Sequence, residues 1–137
     1  MKISNLVESD YVGVWNLFSR VFDRLKEEDT FYSAWECREK ELSFCFREQN
    51  KVIAFILVRR ETDTKHRIEF LAVDPDTQGS GIGTTLLHKV MSMCQSISLI
   101  PINDQRIIHW YMKNGFKLVS RSKDRWGDDQ ILLETSI

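Results

Sequence analysis

Three consecutive stretches constrain this fold more than any others: HRIEFLAV (residues 66–73), GIGTTLLHKVMSMC (81–94) and SISLIPI (96–102). The outer two are apolar runs of strand length. Between them Ile82, Leu86, Leu87, Val90, Met91 and Cys94 share one face at helical spacing. A helix joining two strands of one sheet implies a parallel crossover, because antiparallel neighbours need only a short turn.

The flanks read differently. SDYVGVWNLFSRVF (9–22) puts Val14, Trp15, Phe18, Val21 and Phe22 on one helical stripe, with Ser9 or Asp10 available as cap. The charged residues 23–30 interrupt that stripe, and TFYSAWECREKEL (30–42) resumes it, with Thr30 as cap and Tyr32, Trp35 and Leu42 facing inward. SFCFREQ (43–49) and KVIAFILVRRE (51–61) alternate like strands around a tight turn at Asn50-Lys51. NDQRIIHWYMKNG (103–115) is a helix that starts at Asn103 or Asp104 and stops at Gly115, and residues 116–122 and 128–135 form a last strand pair. With residues 2–7 as the first strand, the order is β-α-α-β-β-β-α-β-α-β-β. That is a mixed α+β sheet of six to seven strands with about four helices and one central βαβ crossover. No repeat or linker composition divides it, so residues 1–137 are expected to be one domain.

Lys+Arg (19) nearly balances Asp+Glu (20), which argues against a nucleic-acid partner. The N-terminal MKISNLVESDY has no apolar leader core and no run approaches a membrane span, so neither membrane partner nor export is expected. Cys37, Cys45 and Cys94 have no metal-ligand spacing and read as reduced thiols, which points to a cytoplasmic protein without a metal.

Half of the six glycines, Gly79, Gly81 and Gly83, fall within five residues at the mouth of the central helix. Bare backbone there turns successive amides into one concavity beside the helix N-terminus, a cradle for an anion. The spacing is not GxxxxGK[ST], since no lysine follows until Lys89, and it is not GxGxxG.

The segment LAVDPDTQGSGIGTTLL (71–87) resembles the acetyl-CoA-binding motif of the GNAT superfamily of N-acetyltransferases, with Gln78, Gly81 and Gly83 at the matching positions. IIHWYMKNGFKLV (107–119) resembles that family's Y-x-K-x-G-F segment through Tyr111, Lys113, Gly115 and Phe116. The resemblance implies splayed parallel strands, with acetyl-CoA as acetyl donor. The backbone of Leu71, Ala72 and Val73 would then hold its amide arm, and Gln78, Gly79, Ser80, Gly81, Ile82, Gly83 and Thr84 its pyrophosphate. Asn103 would contact it from the last helix, although the position that matches the family's asparagine is Asp104. Gly79, where relatives often carry a larger residue, is expected to tolerate a side chain.

Acetyl transfer to an amine needs an acid for the leaving thiolate and a base for the amine proton. Periodicity alone reads Tyr111 as a buried aromatic, whereas the resemblance implies the acid. Glu69 is either the base or a carboxylate on a solvated strand face. The expected acceptor is a small-molecule or peptide primary amine. Carboxylates in residues 23–32 and 122–129 would suit a cationic one, with Tyr32 and Trp126 as walls. A homodimer is compatible with the sequence. The alternatives are a catalytically weak acyl-CoA-binding sensor or interaction module, and a nucleotide-phosphate binder.

Overall fold

The computed structural model describes residues 2–77 and 79–136. Its strands are β1 (Ile3–Asn5), β2 (Phe44–Glu48), β3 (Lys51–Arg60), β4 (Lys65–Val73), β5 (Ser96–Leu99), β6 (Lys117–Lys123) and β7 (Asp129–Ser136). They form one sheet in the order β1-β2-β3-β4-β5-β7-β6. The helices are α1 (Tyr11–Val21), α2 (Arg24–Glu36), α3 (Ile82–Met91) and α4 (Gln105–Lys113). Among the described residues only β4 and β5 pair in parallel, joined by α3.

Each face of the sheet has its own core. Val14, Leu17 and Phe18 of α1 and Phe31, Ala34 and Trp35 of α2 pack on Phe55, Leu57, Phe70 and Ala72. On the other face Ile82, Leu86, Leu87 and Val90 of α3, with Tyr111 of α4, pack on Ile56, Val58, Ile68, Ile97 and Leu99. Being covered on both sides, β3 reads as an unbroken apolar run rather than an alternating one.

The second helix starts at Arg24, not at Thr30. Asp23 caps it by accepting from the Lys26 N–H at 3.3 Å, so the charged stretch is its first half. That half has no apolar stripe to reveal it. It is held instead by Lys26, whose Nζ lies 2.7 Å from Asp124 and 2.8 Å from Asp128 in the β6–β7 loop. The helix also ends earlier than expected, at Glu36, and Tyr32 points outward, stacked on Trp15 at 5.5 Å. The first hairpin turns at Gln49 and Asn50, φ 52° and 65°, one residue before the expected pair. Replacing the cap, Asp23→Ala, should cost about 1 kcal/mol. Urea denaturation would read that as a lower midpoint with an unchanged slope.

Candidate functional site

Strand β4 is straight neither in register nor in its neighbours. Leu57 faces Phe70 and Val58 faces Ile68, so Glu69 is an extra residue in β4, a β-bulge. The bulge reverses the strand's parity. Ile68 belongs to the α3 face, while Phe70 and Ala72 belong to the α1–α2 face and Leu71 and Val73 pack on the α3 side. Pairing with β5 ends one residue before the bulge, at Ile68↔Leu99, although β4 stays on β3 as far as Ala54↔Val73. Beyond Leu99 the chain runs through Ile100 into Pro101, which has no N–H to extend a ladder. The two parallel strands therefore part like a V.

A cleft of about 460 Å³ occupies the opening. Glu69, Leu71, Ala72 and Val73 form its β4 side, Leu99 to Ile102 the opposite side, and Thr77, Gly79, Gly81, Ile82, Gly83 and Thr84 one end. Ile107, Trp110 and Tyr111 of α4 and Val21 and Phe22 of α1's end complete it. Phe22 stands against Phe70 at 5.1 Å, and Phe70 joins the stacked Phe18–Phe31 pair, so an aromatic cluster sets that wall.

The glycine loop has the backbone an anion cradle needs. Gly81, φ 81°, is the N-cap of α3 and provides no side-chain acceptor, so none of the first-turn N–H groups is capped by it. A Cβ on Gly83 would lie 3.2 Å from Val73 Cγ2, so this glycine lets the helix approach β4 closely. Gly79 has φ 91°, which disfavours the side chain it was expected to tolerate. Gln78 lies outside the described residues. Ser80 is exposed, its Oγ donating to the Thr77 carbonyl at 2.8 Å, and does not line the cleft. Asn103 is also exposed and outside the lining; its neighbour Asp104 caps α4 by accepting from the Arg106 N–H at 2.8 Å.

The Y-x-K-x-G-F segment is a helix stop with a physical purpose. Gly115, φ 99°, donates to the Met112 carbonyl at 3.1 Å, and Phe116 donates to that of Tyr111 at 3.2 Å. Those two bonds make a Schellman motif, and its hydrophobic contact is Phe116 against Tyr111, ring centroids 5.6 Å apart. The glycine and phenylalanine thus hold the tyrosine ring at the cleft. Burial pushes the Tyr111 phenol above its ordinary range.

Glu69 lies at the cleft, and its Oε1 is 2.6 Å from Arg59 Nε. Among the described lining residues there is no Lys, Arg or His. Asp124 and Asp128 are engaged with Lys26, and neither Tyr32 nor Trp126 lines the cleft, so the expected carboxylate pocket for a cationic amine is not built there. Of the apolar walls, Ile100 and Ile102 follow the end of β5, where no period marks them, and Phe22, legible as a helical-stripe residue, gives no sign in the sequence that it reaches the cleft. The sequence reading also missed Asp74, a buried carboxylate that opens the glycine loop.

The family model described as Acetyltransferase (GNAT) family matches residues 9–116. The peptidyl-lysine N-acetyltransferase YjaB of Escherichia coli (strain K12) is 28% identical over 87 residues, which are 62% of this chain and 55% of that protein. The match therefore spans about half the length of that curated relative. Among solved structures, the ribosomal-protein-S18-alanine N-acetyltransferase of Escherichia coli superposes with a TM-score of 0.81 at 23% identity, covering 99% of this chain and 93% of that one. Naa50 of Arabidopsis thaliana, in complex with the bisubstrate analogue CoA-Ac-MVNAL, gives 0.82 at 19% identity, covering 99% and 98%. At these identities the likeness of the structures is one of fold.

Proposed function

This chain belongs to the GNAT family of acetyltransferases, and on that premise we propose that it transfers an acetyl group from acetyl-CoA to a primary amine of a peptide. The observation that carries the reading is the meeting of three elements in one cleft: the parted end of β4, the glycine-lined mouth of α3, and Tyr111. Residues 1–137 act as one catalytic domain in this reading.

Acetyl-CoA supplies an activated acetyl thioester. The amides at Gly79, Gly81, Ile82, Gly83 and Thr84 hold its pyrophosphate. Backbone groups of Leu71, Ala72 and Val73 hold its amide arm as an added strand would. This sets the thioester between the parted strands, near Glu69 and Tyr111.

The acceptor must arrive as a neutral amine, which the cleft's apolar walls favour by disfavouring the charged form. Its nitrogen attacks the thioester carbon, the C–S bond breaks, and the thiolate takes its proton from the Tyr111 hydroxyl. Glu69, directly or through water, takes the proton the amine gives up. A phenol with its pKa pushed up is a poorer donor than a free tyrosine in equilibrium terms, yet it stays protonated across the whole working range.

The peptide acceptor is supported by what the relatives are named for: a peptidyl lysine for one, the S18 alanine for another. The apolar surround and the capture of Asp124 and Asp128 by Lys26 weigh against polyamines. The test is release of CoA thiol against peptide N-termini, lysine peptides, polyamines and aminoglycosides. Turnover on peptides but not polyamines is expected, and the reverse order would replace the acceptor class.

The ion pair between Glu69 and Arg59 favours one second reading, a slow or inactive acyl-CoA-binding module. Thermal stabilisation by acetyl-CoA without thiol release on any amine would establish it.

A further inference from the structure

The glycine loop carries carboxylates where an anion cradle wants cations. Asp74 and Asp76 stand at its entrance, Thr77 follows at the cleft wall, and no Lys or Arg occurs between residues 74 and 88. Asp74 is 2% exposed and ties the entrance together. Its Oδ1 accepts from the Asp76 N–H at 3.0 Å, and its carbonyl accepts from the Thr77 N–H and Oγ1 at 2.9 and 3.0 Å. The Asp76 N–H first, and then Arg20, hold the Asp74 carboxyl below the usual range, so it is charged whenever the protein works.

One guanidinium reaches both acids from the last turn of α1, more than fifty residues away in sequence. Arg20 Nη1 lies 3.0 Å from Asp74 Oδ2 and its Nη2 3.7 Å from Asp76 Oδ2. Lys51 Nζ, at 3.6 Å, is the other cation facing Asp74. Without Arg20, Asp76 would lose its cation and Asp74 would keep only Lys51, leaving uncompensated carboxylate charge a few residues before the glycine loop, where it would repel a pyrophosphate bound there.

We propose that Arg20 is the counter-charge of the phosphate loop: a positioning residue that neutralises Asp74 and Asp76 and so allows a cradle without its own cation to accept the pyrophosphate of acetyl-CoA. The inference rests on the reading of this cleft as the acetyl-CoA site.

The test compares wild type with Arg20→Ala, Arg20→Lys and the double variant Arg20→Ala/Asp76→Asn, at low and raised ionic strength. Acetyl-CoA KM should rise roughly tenfold in Arg20→Ala with kcat unchanged. The defect should shrink as salt screens the exposed carboxylate. Arg20→Lys should restore part of the affinity, and Asp76→Asn should restore most of it in the Arg20→Ala background. A lost packing contact would respond to neither salt nor Asp76→Asn, so a salt-independent defect that Asp76→Asn leaves in place overturns the proposal, as does an unchanged KM. If Arg20→Ala fails to fold, Asp76→Asn alone should tighten acetyl-CoA binding relative to wild type, and no tightening counts against the idea. Wild type that binds no acetyl-CoA would instead overturn the reading of the cleft.

Discussion

Tyr111→Phe should lower kcat by about a hundredfold, the low end of what a positioned general acid contributes, and should leave the acetyl-CoA KM unchanged. The ring should keep its place in the variant, because it packs against the rings of Phe116 and Trp110, with centroids 5.6 and 4.8 Å away, and the Schellman bonds are backbone bonds. Only the hydroxyl goes. A rate loss without a binding loss is then the signature of a proton donor rather than of packing. The pH profile provides a second reading. Burial raises the phenol, so the acid remains protonated where an ordinary tyrosine would begin to lose its proton. Wild-type kcat/KM for the acceptor should therefore rise with pH as the free amine deprotonates and show no descending limb below about pH 10. Unchanged turnover in Tyr111→Phe, or a fall in wild-type rate between pH 8 and about 9, would remove the tyrosine from the mechanism.

The other large effect is expected at Gly81→Val, where acetyl-CoA binding should weaken roughly a hundredfold while the protein still folds. A Cβ at Gly81 meets nothing within 4 Å, so no clash unfolds the chain. The difficulty is φ 81°, which a β-branched residue avoids. Relaxing it turns the loop amides away from the anion. Losing two charge-assisted hydrogen bonds at about 1.5 kcal/mol each corresponds to that factor. Calorimetric titration of acetyl-CoA, beside a thermal melt, separates the two outcomes. Wild-type affinity in a folded Gly81→Val protein would mean the loop is a turn and not a cradle. Gly83 differs in kind, since its Cβ would press on Val73, so Gly83→Ala should shift the helix slightly and weaken binding less.

The parts legible in the sequence share a property: each is written over a few neighbouring residues. Apolar runs of strand length announced the strands, the 3.6-residue stripe announced α1 and α3, and a capping residue with a stop at Gly115 announced α4. The Tyr111 and Gly81 motifs are of this sort too, because a Schellman stop and a helix mouth are local conformations. Where local signal failed, the cause can be named. The first half of α2 has no apolar face, and its support is a loop a hundred residues on. Tyr32 and Trp126 do not wall the cleft, because Tyr32 stacks on Trp15 and the β6–β7 loop is held against α2.

The sequence by itself determined the element order, the single parallel crossover, the glycine mouth of α3 and the tyrosine stop of α4, because local backbone preference and side-chain period decide these. Tertiary structure alone decided which distant groups meet: Arg20 with Asp74, Arg59 with Glu69, Lys26 with Asp124. It also decided that a bulge at Glu69 turns Leu71 and Val73 to the α3 side of the sheet just where β5 departs. One extra residue in a strand reverses every side chain beyond it, and whether that residue bulges depends on the register of the partner strand, which no local pattern encodes.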